Sequence, residues 1–568
     1  MNTTPTAPTT TDAEVGAAAL ELLGIDSLRP IQKRAIRHLL DADDTLVVMP
    51  TGAGKSAIYE LAAQFIDGPT VVVSPLLALQ ADQVDKIGGR DLGGAAVLNS
   101  TIGKKRRQTT LDKFAAGEIE FLYLAPEQFE NLEVHDALAA SGVTFVVVDE
   151  AHCITTWGHD FRPSYLHIGD AIDSLAVSAV TSRPVVCAAT ATAPHHTRDE
   201  ICHRLHLQKP AVLVAGFDRP NLSLGVEAFV APEDKTEAVL DKIATARLPG
   251  IVYVATRGHA VELAERITAE HALNASAYHA GMAKRRRREI QDDFMAGHLD
   301  VVVATCAFGM GIDKADVRFV YHHDAPDSLD SYYQEAGRAG RDGDEAECVF
   351  FYMPSDLGVR KFFAAGAVTE DELREVAHAV EEHAELTTLG EIERSVHVSD
   401  HKVEEALNLL EEVGEIDLLP AHEVLVRDDA PDADQAAHAA AKLEDIQRQV
   451  EKTRIDMLRG YAEHPGCRRR FLLGYFGEAF SAPCGNCDWC LSQAAVDGQA
   501  TARSPATAAG MTEPFPVGST VEHRVWGPGR VMSYEDDLVV VFFESKGYRT
   551  LSVSTVVDRG LLSAAGAE

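Results

Sequence analysis

From Leu46 to about Phe351, short uninterrupted apolar runs alternate with stretches whose apolar residues recur every three or four positions. Such runs read as parallel strands buried on both faces, and the stretches between them as covering helices. LVVM, TVVVSP, FLYLAP, FVVVDE and VVCAAT form a first series; GIVYVAT, ASAYHA, DVVVAT, FVYHHD and CVFFYM form a second. Two series predict two doubly wound α/β domains in tandem, with the boundary near Ala215–Pro220, where GFDRPN breaks the periodicity.

After about Gly366 the pattern changes. Thr369–His383, Leu386–Val396 and Ser399–Val413 carry the helical period, and Glu415–Val426 reads as a short β-ribbon, the order of a winged helix. Ala433–Ala462 predicts one long charged helix, and Ala494–Thr512 is an Ala/Thr/Ser/Gly-rich linker. Pro516–Leu561 alternates over several short strands, which predicts a small β-barrel. The N-terminal MNTTPTAPTTTDAE has neither a basic region nor an apolar core, so it reads as a disordered tail and not a signal peptide. The expected division is therefore a tail at 1–15, α/β domains at 16–215 and 216–358, and a winged-helix-like domain at 366–430. A helical, cysteine-bearing module at 432–492, a linker at 493–514 and a barrel at 515–562 follow.

Composition adjusts this picture in two places. The chain has 568 residues and no run of about 18 apolar positions, so no membrane span is expected. Its formal charge of −35 fits poorly with a nucleic-acid binder, although local patches and not totals decide contacts. Three basic runs, Lys104–Arg107, Lys284–Arg288 and Arg468–Arg470, each read as a solvated helix face.

The candidate chemistry begins with TGAGKS, Thr51–Ser56, between a strand and a helix. Gly52 and Gly54 allow backbone N–H groups to turn around phosphate oxygens, Lys55 can meet the β- and γ-phosphates, and Ser56 can hold Mg²⁺. The first glycine usual in this motif is replaced by Met49. Asp149, at the end of an apolar strand, is placed to bind Mg²⁺, and Glu150 to deprotonate an attacking water. A lone histidine is often a satisfied polar group, but in the context DEAH His152 reads in preference as an interdomain link. In YYQEAGRAGRD, Arg338 and Arg341 are spaced to bring positive charge to a transferring phosphoryl group across an interdomain cleft. Cys467, Cys484, Cys487 and Cys490 offer four thiolates for a structural Zn²⁺ site, an iron–sulfur cluster being the alternative. The other five cysteines are scattered, which suits a reducing compartment.

Together these segments resemble RecQ-type DNA helicases of superfamily two. LLGIDSLRPIQ, TGAGKS, VVVSPLLALQADQV, DEAHCITTWGHDFRP, ATATA, YHAG, VVVATCAFGMGIDK and YYQEAGRAGRD occur in the family's order, and CRRRFLLGYFGEAFSAPCGNCDWC is similar to its zinc module. The resemblance implies two RecA-like motor domains that bind ATP with Mg²⁺. It implies that Gln32 reads the adenine edge, and that Arg29 and Gln334 join the nucleotide site. At Ile25 the family often has an aromatic residue that stacks on the base.

The resemblance also gives the aromatic loop after DEAH a task. Trp157, His159, Phe161 and Arg162 would stack on and hold unpaired bases, so that a bound strand acts on the hydrolytic carboxylates of the same strand end. Ser74, Pro75, His279 and Thr305 would touch the DNA backbone.

The implied protein is a bacterial, cytoplasmic, nucleoid-associated monomer that moves 3′ to 5′ on single-stranded DNA, or on DNA with 3′ tails, in repair or recombination. A translocase with weak unwinding, an RNA helicase and a non-motor DNA-binding adaptor are the alternatives. TVEHRVWGPGRVMSYEDDLVVVFFESKGYRTL resembles the Tudor-like domain ending UvrD-type helicases, which implies docking to RNA polymerase or a repair protein. A barrel packed on its own chain is the other reading of that segment. The domain order, with the winged-helix candidate before the cysteine module and none after it, is closer to mycobacterial-type helicases with a tetracysteine module than to the bacterial prototype.

Overall fold

The computed structural model describes residues 10–50, 52–75, 77–90, 92–99, 102–129, 131–155, 163–178, 183–309, 314–358, 368–383, 387–419, 423–427, 430–480, 483–497, 514–535 and 537–564. The chain packs into two compact units, each built around its own parallel sheet.

The first unit comprises residues 1–193, 197–215 and 368–443. Its sheet has seven strands: β1 Thr45–Val48, β2 Thr70–Val73, β3 Ala95–Leu98, β4 Phe121–Leu124, β5 Phe145–Asp149, β6 Val185–Thr190 and β7 Ala211–Val214. All pair in parallel, in the order β3-β4-β2-β5-β6-β1-β7. β1, β2, β4 and the apolar part of β5 are buried throughout, as expected of central strands covered on both faces. The expected tail through residue 15 is corrected, because a helix already runs over Asp12–Leu23. Thr11 and Glu14 form a capping box there, satisfying amides that would otherwise be orphaned.

Residues 368–443 fold onto the same unit. Helices Glu370–Glu382, Leu389–Ser395 and Asp400–Glu412 pack with a three-stranded sheet of β14 Thr387–Thr388, β15 Ile416–Leu419 and β16 Glu423–Val426. The helix Ala433–Glu463 begins in this domain, with Ala433, Ala436, Ala437 and Ala440 in its core, so the helix does not belong wholly to the cysteine module as expected. Arg204 Nη2 meets Glu412 Oε1 at 2.7 Å, and His167 Nε2 lies 3.6 Å from Glu411 Oε2.

The second unit comprises residues 194–196, 216–367 and 444–568. Its parallel sheet contains β8 Leu222–Ala228, β9 Gly250–Tyr253, β10 Ala275–Tyr278, β11 Val301–Ala304, β12 Phe319–His322 and β13 Ala346–Tyr352, in the order β10-β11-β9-β12-β13-β8. Gly250 is required where β9 passes β12, since a Cβ there would stand 2.1 Å from the Phe319 ring.

The C-terminal segment is a five-stranded antiparallel sheet: β17 Thr520–His523, β18 Gly527–Glu535, β19 Leu538–Phe543, β20 Gly547–Ser552 and β21 Leu562–Ala564, ordered β20-β19-β18-β17-β21. Among the described residues β20 does not pair with β21, so the hydrogen-bonded order of the segment expected as a small β-barrel is linear. Its H-x-x-W-G-x-G-x-V pattern is a folding device. The His523 ring stacks on Trp526 at 4.0 Å, and His523 Nδ1 accepts from the backbone N–H groups of Val525 and Trp526. No described helix is long and apolar enough to cross a membrane.

Candidate functional site

In the first unit the P-loop joins β1 to the helix Lys55–Ala63. Gly52 and Gly54 adopt φ +76° and +87°, a region costly for other residues, and this turns the loop toward the helix N-terminus. Helix N-termini attract anions. Lys55 Nζ is buried and makes no hydrogen bond. An ammonium in that position calls for an anion, which is what a triphosphate supplies. Ser56 follows on the first turn of the helix. Thr51 lies outside the described residues.

Gln32 is buried on the helix Pro30–Leu40, and both ends of its amide are engaged. Oε1 accepts from the Arg29 N–H at 2.8 Å, and Nε2 donates to the Gly54 carbonyl at 2.9 Å. The residue expected to read adenine therefore braces the P-loop. Arg29 N-caps the same helix, and Ile25 packs against the core of the unit.

β5 ends at Asp149, and Glu150 turns the chain in the left-handed region at φ +49°, uncommon for a residue with a side chain and typical of functional positions. Glu150 is 8% exposed, and its Oε2 has no hydrogen-bond partner. Asp149 is pushed up to about 6 by burial and then by Glu150, while Lys55 pulls it down. Adjacent carboxylates, Asp149 half-buried and Glu150 buried, with the Lys55 ammonium acting on Asp149, fit a magnesium–nucleotide, whose cation would relieve their repulsion.

Two neighbours not anticipated from the sequence hold this corner. Tyr165 donates its hydroxyl to the Asp149 carbonyl at 3.0 Å. Thr190 Oγ1 donates to the Thr192 carbonyl and lies 2.9 Å from His152 Nδ1, which must then carry the proton. His152 thus ties DEAH to the ATATA segment through Nδ1. Trp157, His159, Phe161 and Arg162 lie outside the described residues. Ser74 and Pro75 follow the end of β2 and are buried, as is Thr305 after β11, with Ser74 1% and Thr305 9% exposed.

In the second unit, helix Leu329–Ala336 carries Gln334, 8% exposed, and leads to Arg338, 4% exposed, and half-buried Arg341. The loop is held by Arg219 and Asn221, residues taken from sequence only as a domain boundary. Arg219 donates to the carbonyls of Gly337, Ala339 and Gly340 at 2.9–3.1 Å, and Asn221 donates to those of Gly340 and Asp344 at 2.8 Å. His279 and Thr305 follow β10 and β11, which pair directly, so the two sit side by side at the carboxyl ends of these strands. This is where open α/β sheets bind ligands.

The four cysteine sulfurs of Cys467, Cys484, Cys487 and Cys490 lie within 4.8 Å of one another, with Cys484 and Cys490 at 3.9 Å. A tetrahedral Zn²⁺ with bonds of ~2.3 Å needs sulfurs ~3.8 Å apart, so the donor set fits. The Cys467 sulfur and then burial push the Cys487 thiol up and burial pushes Cys484 up, while the hydrogen bond from Cys487 holds Cys467 down at about 4, so one sulfur is already poised as a thiolate for a dication. Asn486 accepts from the Leu224 N–H at 3.3 Å and donates to the carbonyls of Pro220 and Leu222, so the cysteine loop covers the edge strand β8. The expected solvated face at Arg468–Arg470 is corrected for two of its three residues. Arg468 and Arg469 are buried and paired with Asp488 and Asp218 at 3.0 Å, because each anchors the module.

Family models agree with this layout. The DEAD/DEAH box helicase model matches residues 29–201, the helicase conserved C-terminal domain residues 234–343, and the RecQ zinc-binding model residues 428–491. The ATP-dependent DNA helicase RecQ of Haemophilus influenzae is 35% identical over 83% of this chain, which spans 62% of that relative's length. The RecQ of Synechocystis sp. is 32% identical over 84% of the chain and 97% of its own length. The probable ATP-dependent DNA helicase RecS of Bacillus subtilis is 33% identical over 83% of the chain and 90% of its own. Among solved structures, the DUF1998 helicase MrfA bound to DNA aligns with a TM-score of 0.52 at 16% identity, over 76% of this chain and 64% of that one. Mss116p bound to single-stranded RNA aligns at 0.51 and 17%, over 68% and 84%; both show likeness of fold alone. Three family models in the expected order and relatives matched over nearly their whole length establish that the chain belongs to the RecQ family of helicases.

Proposed function

We propose that the protein is an ATP-dependent DNA helicase that moves 3′ to 5′ along single-stranded DNA, or enters at 3′ tails, and serves repair or recombination. The observation that carries this is the buried, unpartnered Lys55 ammonium in a P-loop electrostatically coupled to the Asp149–Glu150 pair. DNA is favoured over RNA by the names of the relatives; the fold does not choose, since DNA- and RNA-bound structures align about equally.

In this reading Lys55 and the P-loop amides bind the β- and γ-phosphates. Mg²⁺, held by Ser56 and Asp149, supplies charge neutralisation. Glu150, whose Oε2 accepts no hydrogen bond and lies 3.5 Å from His152 Nδ1, takes the proton of the attacking water. Arg338 and Arg341 stabilise charge on the phosphoryl oxygens, and Gln334 and Arg29 position the nucleotide. Trp157, His159, Phe161 and Arg162 grip the strand beside the DEAH segment, with Ser74, Pro75, His279 and Thr305 on its backbone. The protein works as a monomer at the nucleoid, and the C-terminal sheet docks a transcription or repair protein.

ATP hydrolysis measured without nucleic acid, with single-stranded DNA and with RNA tests this: stimulation by DNA above RNA is expected. Stronger stimulation by RNA would make it an RNA helicase, and equal stimulation a non-selective one. One observation favours a second reading, translocation with weak unwinding. Residues 369–426 contain 17 acidic and 3 basic side chains, a net of −14, which disfavours duplex binding by the winged-helix-like domain. Displacement of streptavidin from a biotinylated strand without strand separation would select that reading.

A further inference from the structure

We propose that the cleft between helix Ala433–Glu463 and the β19–β20 hairpin binds the phosphate backbone of DNA; this rests on the helicase reading. The cleft measures about 390 Å³. Arg448, Lys452 and Lys546 line it against a single acid, Asp445. Arg448 and Lys452 are four residues apart and share one helix face. Arg448 is also shared with Glu444 and Asp445 at 3.4 and 3.6 Å, and Glu544 adjoins the hairpin side. Lys452 and Lys546 are exposed, and neither has a side-chain partner among the described residues. Gln449 and Ser545 add neutral hydrogen-bonding groups to the wall.

The cleft is a fixed feature of the second unit. Gly547, at φ +66°, lets the hairpin lie against the helix, where a Cβ would stand 2.1 Å from Thr453 Oγ1. That oxygen accepts the Tyr548 N–H at 3.1 Å and donates to the Val450 carbonyl at 2.7 Å, so helix and hairpin are locked at the base of the cleft.

Uncommitted cations in a concavity attract phosphates without reading sequence. In a chain of net −35 such a patch is where a polyanion can approach, and the −14 of residues 369–426 cannot serve. A free phosphate offers the same chemistry, and the test separates the two sources.

The experiment uses the full chain and the double variant Lys452→Ala/Lys546→Ala, with a fluorescent single-stranded oligonucleotide titrated over a salt series. The variant should bind about tenfold more weakly at low salt, and the slope of log K against log salt should flatten by ~1.4, two contacts at ~0.7 each. ATP hydrolysis without DNA should be unchanged, and Lys452→Arg/Lys546→Arg should retain wild-type affinity. Wild-type affinity and slope in the alanine variant would overturn the proposal. Saturable binding of inorganic pyrophosphate that the variant loses, with DNA affinity intact, would also overturn it and assign the cleft to free phosphates. A wild-type chain that binds no DNA would overturn the helicase reading together with it.

Discussion

Gln32 Nε2 donates to the carbonyl of Gly54 at 2.9 Å, and a Cβ on Gly54 would stand 2.6 Å from that nitrogen. The helix Pro30–Leu40 and the P-loop are thus one hydrogen-bonded object.

Gln32→Ala should therefore weaken binding of GTP as well as ATP, by several-fold each, because the brace on the phosphate loop is lost whichever base is bound. Fluorescent nucleotide titrations measure both. Undiminished GTP affinity would restrict Gln32 to reading the base.

Gly54→Ala combines the Gln32 clash with a left-handed backbone at φ +87°. A cost of about 1–2 kcal/mol from the backbone alone is expected, with ATP hydrolysis falling at least tenfold. Thermal melting and steady-state hydrolysis check the two parts separately.

Much of this architecture was legible in the pattern of apolar runs, and the omissions have physical causes. β3, β7 and β8 were not anticipated, and all three are edge strands. AVLV of β7 buries only Leu213, and LSLGVEA of β8 is buried mainly at Leu222 and Leu224. LSLGVEA lacks a continuous apolar run, whereas AAVL of β3 and AVLV of β7 are apolar throughout but only four residues long and buried at one position each. β10 is an edge too, yet ASAYHA reads as a strand from its place in the second series of runs. Arg219, Asn221, Tyr165 and Thr190 escaped notice because their task is to hold backbone carbonyls and a histidine, a relationship that exists only in three dimensions. Arg468 and Arg469 looked like surface charge because their partners, Asp488 and Asp218, are 20 and 251 residues away.

Asp330 tests the buried polar centre of the second unit. It accepts from Arg454 and from the Tyr475 hydroxyl, and Arg454 is 8% exposed. Asp330→Ala removes the carboxylate that Arg454 and Tyr475 share in a buried site and should cost about 3–5 kcal/mol, with the loss read as a shift in the denaturation midpoint. A change below about 1 kcal/mol would mean that water replaces the carboxylate.

Removing one zinc ligand should do more than release the metal. In Cys487→Ser the loop that covers β8 through Asn486 loosens and bares a sheet edge. Zinc content should fall from one per chain, and light scattering should rise on warming. Full zinc occupancy in Cys487→Ser would remove that sulfur from the site.

Burial pushes Glu411 and Glu415 up to about 7 from 4.5, in the domain at 368–443. Between these values the folded state holds protons that the unfolded state has released, so stability falls as pH rises from about 4.5 through 7. The contribution of Glu411 is on the order of 3 kcal/mol. Melting of wild type and Glu411→Gln across that range should show a shallower slope in the variant; identical slopes would mean that Glu411 is ionised throughout.

The most direct test of the central claim is the rate of ATP hydrolysis with and without single-stranded DNA, in wild type and in Glu150→Gln. Stimulation of the wild type by DNA is predicted, with hydrolysis in Glu150→Gln down by at least 10²-fold while ATP still binds. Wild-type rates indifferent to DNA, or near-normal hydrolysis in Glu150→Gln, would contradict the account of a DNA-driven motor with Glu150 as its base.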